Sequence, residues 1–382
     1  MSASPGTTLV LGGGIMGLSA AWALARAGTA VRLVEQDGIP NPRGASCDHH
    51  RLIRHTYGAA VGTMRMVEAA FAAWDLLWSD CGERLVVDAG VLAVAEAPGG
   101  WLAESRAALR ADGHAAEDLS AAEVARRFPM LSPEGIADAL LLPHGGVLLA
   151  DRILAALHRR CLALGVTFET ARAVAVDPAR ARLRLADGAE RGADLLLVAA
   201  GPWAPRLLPG LAGRVTASRQ TVVLLEPPPG RREAWAAMPM LLDLAAEGGF
   251  YLVPPVAGTP AKIGDHRFTL RGDPEDDRAA TPAEAEAILA LARHRLRDLP
   301  QCRVLAARAC YYEVEPRERI LLEPLGPRAW VLTGTSGHGF KFGPVLGLGF
   351  ARAMAAPALQ AALPAWAAGE APPPPGLLPA PG

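Results

Sequence analysis

Residues Thr7 to Asp37 read "TTLVLGGGIMGLSAAWALARAGTAVRLVEQD", and the order of residue types in this stretch decides the fold. A short apolar run meets three glycines, an alanine-rich helical stretch follows, and a second apolar run ends on Glu35. Gly12, Gly14 and Gly17 match the pattern G-x-G-x-x-G. In a strand–turn–helix unit the first glycine permits the tight turn, the second lets a pyrophosphate approach the backbone, and the third lets the helix pack on the strand. The phosphate charge then meets free N–H groups and the positive end of the helix. Glu35, closing the second strand, is placed to take both ribose hydroxyls and disfavours a 2′-phosphate. The stretch predicts dinucleotide binding with NADP least favoured; the motif leaves NAD and FAD both open.

The 382 residues are enough for two domains and a substantial core. Lysine and arginine number 38 against 39 acids, a formal charge of -1, which argues against a nucleic acid or a membrane surface as partner. The 5 cysteines, Cys47, Cys81, Cys161, Cys302 and Cys310, are odd in number and scattered, against a disulfide framework or a zinc cluster. No metal is expected, and a reducing cytoplasm is the expected location. The first apolar run is broken by glycines and lacks the basic leader of a signal peptide. Elsewhere no apolar run approaches the ~18 residues a membrane span needs.

Two textures alternate along the remainder. "GVLLADRILAALHRRCLALGVTFETARAVAVDP" and "ADLLLVAAGPWAPRLLP" read as continuations of a parallel sheet, whereas "RLVVDAGVLAVAE", "RQTVVLLEP", "GGFYLVPP", "AKIGDHRF" and "RVLAARACYYEVE" are strands without helices between them, as in an antiparallel sheet. The expected fold is α/β with an α+β second domain. A Rossmann-like nucleotide-binding domain spans 1–84, 144–214 and 318–370, and a discontinuous antiparallel-sheet substrate domain spans 85–143 and 215–317. Residues 371–382 are expected to form a flexible Pro-rich tail.

Six stretches carry a resemblance over nearly the whole chain: the Gly12–Gly17 turn, "HHRLIRHTYG" at His49–Gly58, "AAGPWAPRL", "GFYLVP" followed by "AKIGDH", "RACYY" and "SGHGFKF". In these the sequence resembles the monomeric sarcosine oxidase family, flavoenzymes within the D-amino-acid-oxidase-like group. The resemblance implies FAD as the cofactor, held by Gly12, Gly14, Gly17, Glu35, Arg51, Val174, Gly201, Gly337 and Gly339, and joined covalently through the sulfur of Cys310. It implies a monomer.

The same resemblance implies the substrate site. Arg54 and Lys341 hold a substrate carboxylate, Lys262 activates oxygen beside the flavin, and Tyr251 and His266 line the pocket. Taken alone, a lysine between Phe340 and Phe342 packs its stem at the surface, and a strand histidine or tyrosine is structural. The implied activity is oxidation of a secondary amino acid, either N-methylated as in sarcosine or cyclic as in proline or pipecolate. Hydride passes to flavin N5, and oxygen is reduced to hydrogen peroxide. Alternatives are a flavin-dependent amino acid dehydrogenase, or a biosynthetic oxidase of a larger amine, with another acceptor or within a complex; a redox-inert nucleotide-binding protein is a third. Three positions depart from the family: Ala59 follows Tyr-Gly where a glutamate is usual, and Cys47 and His50 stand where a histidine and a threonine are found. A further departure, "EVEPRERILLEP", follows Tyr312.

Overall fold

Strand β1 (Thr7–Leu11), helix α1 (Ile15–Arg26) and strand β2 (Ala30–Glu35) form the unit that the opening glycines predict. The structure is a computed structural model that describes residues 6–246 and 248–379. At Gly12 φ is +111°, and a Cβ would lie 2.2 Å from the Ala199 carbonyl oxygen, so a side chain would push the turn off the neighbouring strand.

β1 lies inside a six-stranded sheet ordered Leu321–Gly326, Ala329–Thr333, Leu195–Val198, β1, β2, Thr167–Thr170. Its pairings are parallel except at the Leu321–Gly326 edge, which runs antiparallel to its neighbour. α1 is buried from Ile15 to Leu24, sandwiched between this sheet and other helices, which is why its sequence is apolar nearly all round. Phe342 and Phe350, both 0% exposed, anchor the helix Gly343–Ala355 in the same core, each contributing about 1.5–3 kcal/mol by burial.

The second large sheet has eight strands in the order Arg303–Val314, Thr216–Glu226, Ala261–Asp265, Phe250–Val253, Met240–Leu244, Val91–Ala95, Asp138–Leu142, Glu117–Asp118. It is mixed rather than purely antiparallel, because Met240–Leu244 runs parallel to Val91–Ala95. Those two strands come from separate excursions of the chain, so no hairpin dictates their relative direction. A second difference concerns Ala173–Asp177, expected in the parallel sheet. It pairs antiparallel with Arg182–Leu185 in a separate three-stranded sheet, because a tight turn follows it directly.

Strand β3 (Arg51–Ile53) pairs antiparallel with Gly146–Leu148, which also pairs with Val86–Asp88. From this small sheet the chain leads through Arg54 into helix α2 (Val61–Cys81). Helix α3 (Gly100–Ala111) packs against Val91–Ala95 and Asp138–Leu142. In the stretch expected to be a loose tail, Leu377 is buried and Arg352 Nε donates to the Gly376 carbonyl at 3.0 Å; residues 380–382 of that stretch lie outside the described residues. Among the described residues no helix is long and apolar enough to cross a membrane.

Candidate active site

The carboxyl ends of β1 and β2 open into a long cleft lined by Gly12, Gly14, Glu35, Ser46, Cys47, Arg51, Val174, Gly201, Tyr312, Gly337, Gly339 and Phe340, among others. At its floor the first free N–H of α1, that of Ile15, donates to Ser46 Oγ at 3.0 Å, a hydroxyl standing where a phosphate oxygen would be received. Glu35 accepts from Gly13 N at 2.6 Å and from Asn41 Nδ2 at 2.9 Å, which fixes its carboxylate at the end of β2. Gly17 is not on the wall; a Cβ there would meet the Gly12 carbonyl oxygen at 1.9 Å, so it lets helix and turn close on each other. Val174, 45% exposed, stands at the rim. An anion-receiving helix end, a carboxylate at the end of the second strand and a slot extending to a second glycine turn are what FAD requires, and the residues present fit it.

A second cavity meets the first. Its walls include Arg54, Tyr57, Trp101, Tyr251, Lys262, His266, Glu318, His338 and Lys341, and it shares Arg51, Tyr312, Gly337 and Phe340 with the cleft. Arg51, Tyr312, Gly337 and Phe340 on the shared wall would hold the flavin ring. Gly337 has φ +77°, and a Cβ there would sit 2.3 Å from Tyr312 Cε2, so only glycine lets the turn approach that ring. Ser336 and Glu318, both facing this cavity, also hold positive φ (47° and 56°), a backbone cost found where function dictates geometry.

Lys341 is 4% exposed, and its Nζ donates to the His338 carbonyl at 2.8 Å. Burial, with Arg54 nearby, holds its pKa well below the ordinary lysine value. Trp74 Nε1 donates to the Lys341 carbonyl at 2.8 Å and so locks the turn to α2. The Arg54 guanidinium binds the carbonyl and hydroxyl of Thr56 and lies 5.0 Å from the Tyr57 ring centroid and 5.6 Å from that of Trp101. Among the described residues neither cation has an ion-pair partner. The Tyr57 hydroxyl and His338 Nδ1 are buried without a hydrogen-bond partner in the same region. Burial and the cations keep the imidazoles neutral, His266 at a pKa of about 4 and His338 at about 3.

Lys262 points into the seam between the two cavities, but not freely. Its Nζ donates to Asp48 Oδ2 at 2.8 Å and to the His50 carbonyl at 2.7 Å, and Arg51 binds the same Asp48 oxygen. Burial pulls the Lys262 pKa down to about 8, with Asp48 opposing. Burial works against the Asp48 charge too, yet Lys262 and Arg51 hold its carboxyl well below the carboxylate range. Cys310 is buried beside Arg51 and Lys262, on the same strand face as Tyr312, and burial raises its thiol pKa against the pull of Arg51. Cys310 does not reach the cleft wall, whereas Cys47 does.

The structure thus brings Arg54, Lys341, Lys262, Tyr251 and His266 to one cavity and the glycine turns with Glu35 to the other. Asp48, Trp101 and Glu318 are cavity or seam residues that sequence reasoning missed. Asp48 offered a faint signal, an acid three positions before Arg51; Trp101 offered none, since only tertiary folding carries α3 to the pocket.

A family model described as FAD dependent oxidoreductase (DAO) matches residues 7–353. The chain belongs to the FAD-dependent oxidoreductases of this family. It is an FAD-dependent amine oxidoreductase, as the resemblance implied. It is 30% identical over 352 residues to the peroxisomal sarcosine oxidase of Mus musculus, covering 89% of both chains. It is 25% identical over 347 residues to the N-methyl-L-tryptophan oxidase of Yersinia pestis (strain Pestoides F), covering 89% of this chain and 92% of that one. In fold it is similar to the L-proline dehydrogenase from P. horikoshii, with a TM-score of 0.78 at 17% identity over 92% of this chain and 93% of that one.

Proposed function

We propose that this FAD-dependent oxidoreductase oxidises a secondary amino acid, N-methylated or cyclic, with oxygen as the acceptor and hydrogen peroxide as the co-product. One observation carries the reading: buried Lys341 and half-buried Arg54, neither ion-paired among the described residues, face a cavity that shares Arg51, Tyr312, Gly337 and Phe340 with the nucleotide cleft. Two such cations ask for an anion, and a substrate carboxylate supplies it; charge-assisted bonds of this kind contribute about 1.5–3 kcal/mol each. FAD, when bound, supplies the two-electron acceptor for the substrate C–H bond and passes the electrons to oxygen.

The residues do the rest. Arg54 and Lys341 fix the carboxylate, and the rings of Tyr57, Trp101 and Phe342 keep water from the cations and so strengthen the contact. The same positive charges favour the unprotonated substrate amine, so no side chain is needed to remove a proton before the C–H bond breaks. Tyr251 and His266 border the substrate, and Lys262 presents positive charge to oxygen. The amine loses two hydrogens to become an imine, and oxygen gains two to become peroxide. With this reading go the division into 1–84, 144–214 and 318–370 against 85–143 and 215–317, flavin attachment at Cys310, a monomer, and a cytoplasmic location.

A second reading, a dehydrogenase with another acceptor, is favoured by the Asp48 carboxylate, which offsets the Lys262 charge. Anaerobic mixing with sarcosine, N-methyl amino acids, L- and D-proline and L- and D-pipecolate tests both. Flavin bleaching followed by rapid recovery and peroxide in air supports the oxidase; bleaching with slow recovery in air and fast recovery with a quinone supports the dehydrogenase.

A further inference from the structure

In a recess that shares no lining residue with the substrate cavity, two imidazoles and a carboxylate converge. His55, the residue after Arg54, is 3% exposed, and its Nε2 lies 3.0 Å from Glu68 Oε2 on α2. The His114 ring, in the loop after α3, sits 4.4 Å from the His55 ring, centroid to centroid, and the donor atoms of His55, Glu68 and His114 all lie within 4.8 Å of one another. We propose that these three side chains bind one divalent transition-metal ion of the zinc class.

The donor set and its spacing carry the assignment. Imidazole nitrogen with one carboxylate oxygen suits zinc, nickel or copper rather than magnesium or calcium. Bonds of about 2.0–2.1 Å place tetrahedral ligand atoms about 3.3 Å apart, so the His55–Glu68 pair is already at ligand spacing. His114 has only a short distance to close, and its side chain makes no hydrogen bond among the described residues that would resist. Its backbone N–H is held by the Leu109 carbonyl at 2.9 Å, so the loop presents the ring rather than trailing it. The neighbouring acid Asp112 is excluded as a competitor, because Arg65 takes both of its oxygens at 2.8 Å. His144 lines the same recess and supplies a candidate fourth ligand, with water as its alternative.

Such an ion would tie three separate segments together: the residue after Arg54, the first half of α2, and the loop that ends α3. Because α3 carries Trp101 to the Arg54 guanidinium, the ion would brace the carboxylate-binding side of the active site without touching substrate.

The test uses tag-free holoenzyme equilibrated with zinc sulfate, desalted, and assayed for zinc by mass spectrometry, with calorimetric titration of the chelator-treated protein. Wild type should retain one zinc per chain. The His114→Ala and Glu68→Ala variants, both altered at surface-accessible side chains, should lose it while keeping full flavin content. Zinc should also raise the wild-type melting temperature and leave that of both variants unchanged. A wild-type protein that retains no zinc, or variants that retain as much as wild type, would overturn the assignment.

Discussion

Lys262 and Asp48 form a buried ion pair, Nζ to Oδ2 at 2.8 Å, with Lys262 2% and Asp48 7% exposed. The pair lies at the seam of the two cavities, and Arg51 shares the same carboxylate oxygen. Two cations on one acid leave this corner net positive, which on the proposed reading suits it to steady negative charge on oxygen. Removing the acid leaves both cations uncompensated in a place water barely reaches. Asp48→Asn should therefore destabilise the fold by about 3–5 kcal/mol in denaturant unfolding, and the Lys262→Met, Asp48→Asn double variant should lose less than the two single losses summed.

The pH dependence of oxygen reaction follows from the same pair. Lys262 is cationic below its pKa of about 8 and neutral above it. Reoxidation by oxygen should accordingly slow as pH rises through about 8, measured by stopped-flow absorbance with excess oxygen. The Lys262→Met variant should reoxidise slowly at every pH, with the step through pH 8 gone and flavin reduction changed far less.

On the proposed reading, Arg54 and Lys341, neither ion-paired among the described residues, set affinity at the other end of the cavity. Lys341→Ala should raise the substrate dissociation constant about tenfold or more, equivalent to at least about 1.4 kcal/mol, read from the dependence of anaerobic bleaching on substrate concentration. An uncharged amine analogue lacking the carboxylate should bind equally to wild type and variant.

Flavin attachment separates two thiols. Cys310 lies in the positive neighbourhood of Arg51 and Lys262, while Cys47 lies on the cleft wall. Acid-precipitated wild type should give a yellow pellet, and Cys310→Ser should release all colour to the supernatant. If Cys47→Ser releases it instead, the linkage belongs to the cleft wall.

Gly337→Ala adds a carbon 2.3 Å from the Tyr312 ring at a positive φ, so the turn must shift. Purified variant should carry little flavin, seen in its absorbance ratio of 450 to 280 nm, while its far-ultraviolet circular dichroism stays near that of wild type.

The cofactor half was legible because its information is local. Gly12, Gly14, Gly17 and Glu35 belong to one continuous strand–turn–helix–strand unit, whose backbone needs are written in neighbouring residues. The proposed substrate residues were legible only through resemblance, since Arg54, Lys262 and Lys341 lie far apart in sequence and nothing in their immediate neighbours says that they meet.

Sequence alone determined the Rossmann-like opening, the alternation of two sheet textures and the glycine turn that precedes Lys341, because backbone conformation and hydrophobic period are properties of short segments. Tertiary structure decided the parallel step within the second sheet, the capture of Lys262 by Asp48, the arrival of Trp101 at Arg54 and the meeting of His55, Glu68 and His114. Each of these joins residues from separate excursions of the chain, and the partner of a charge or an imidazole is fixed by packing at a distance, where no local pattern records it.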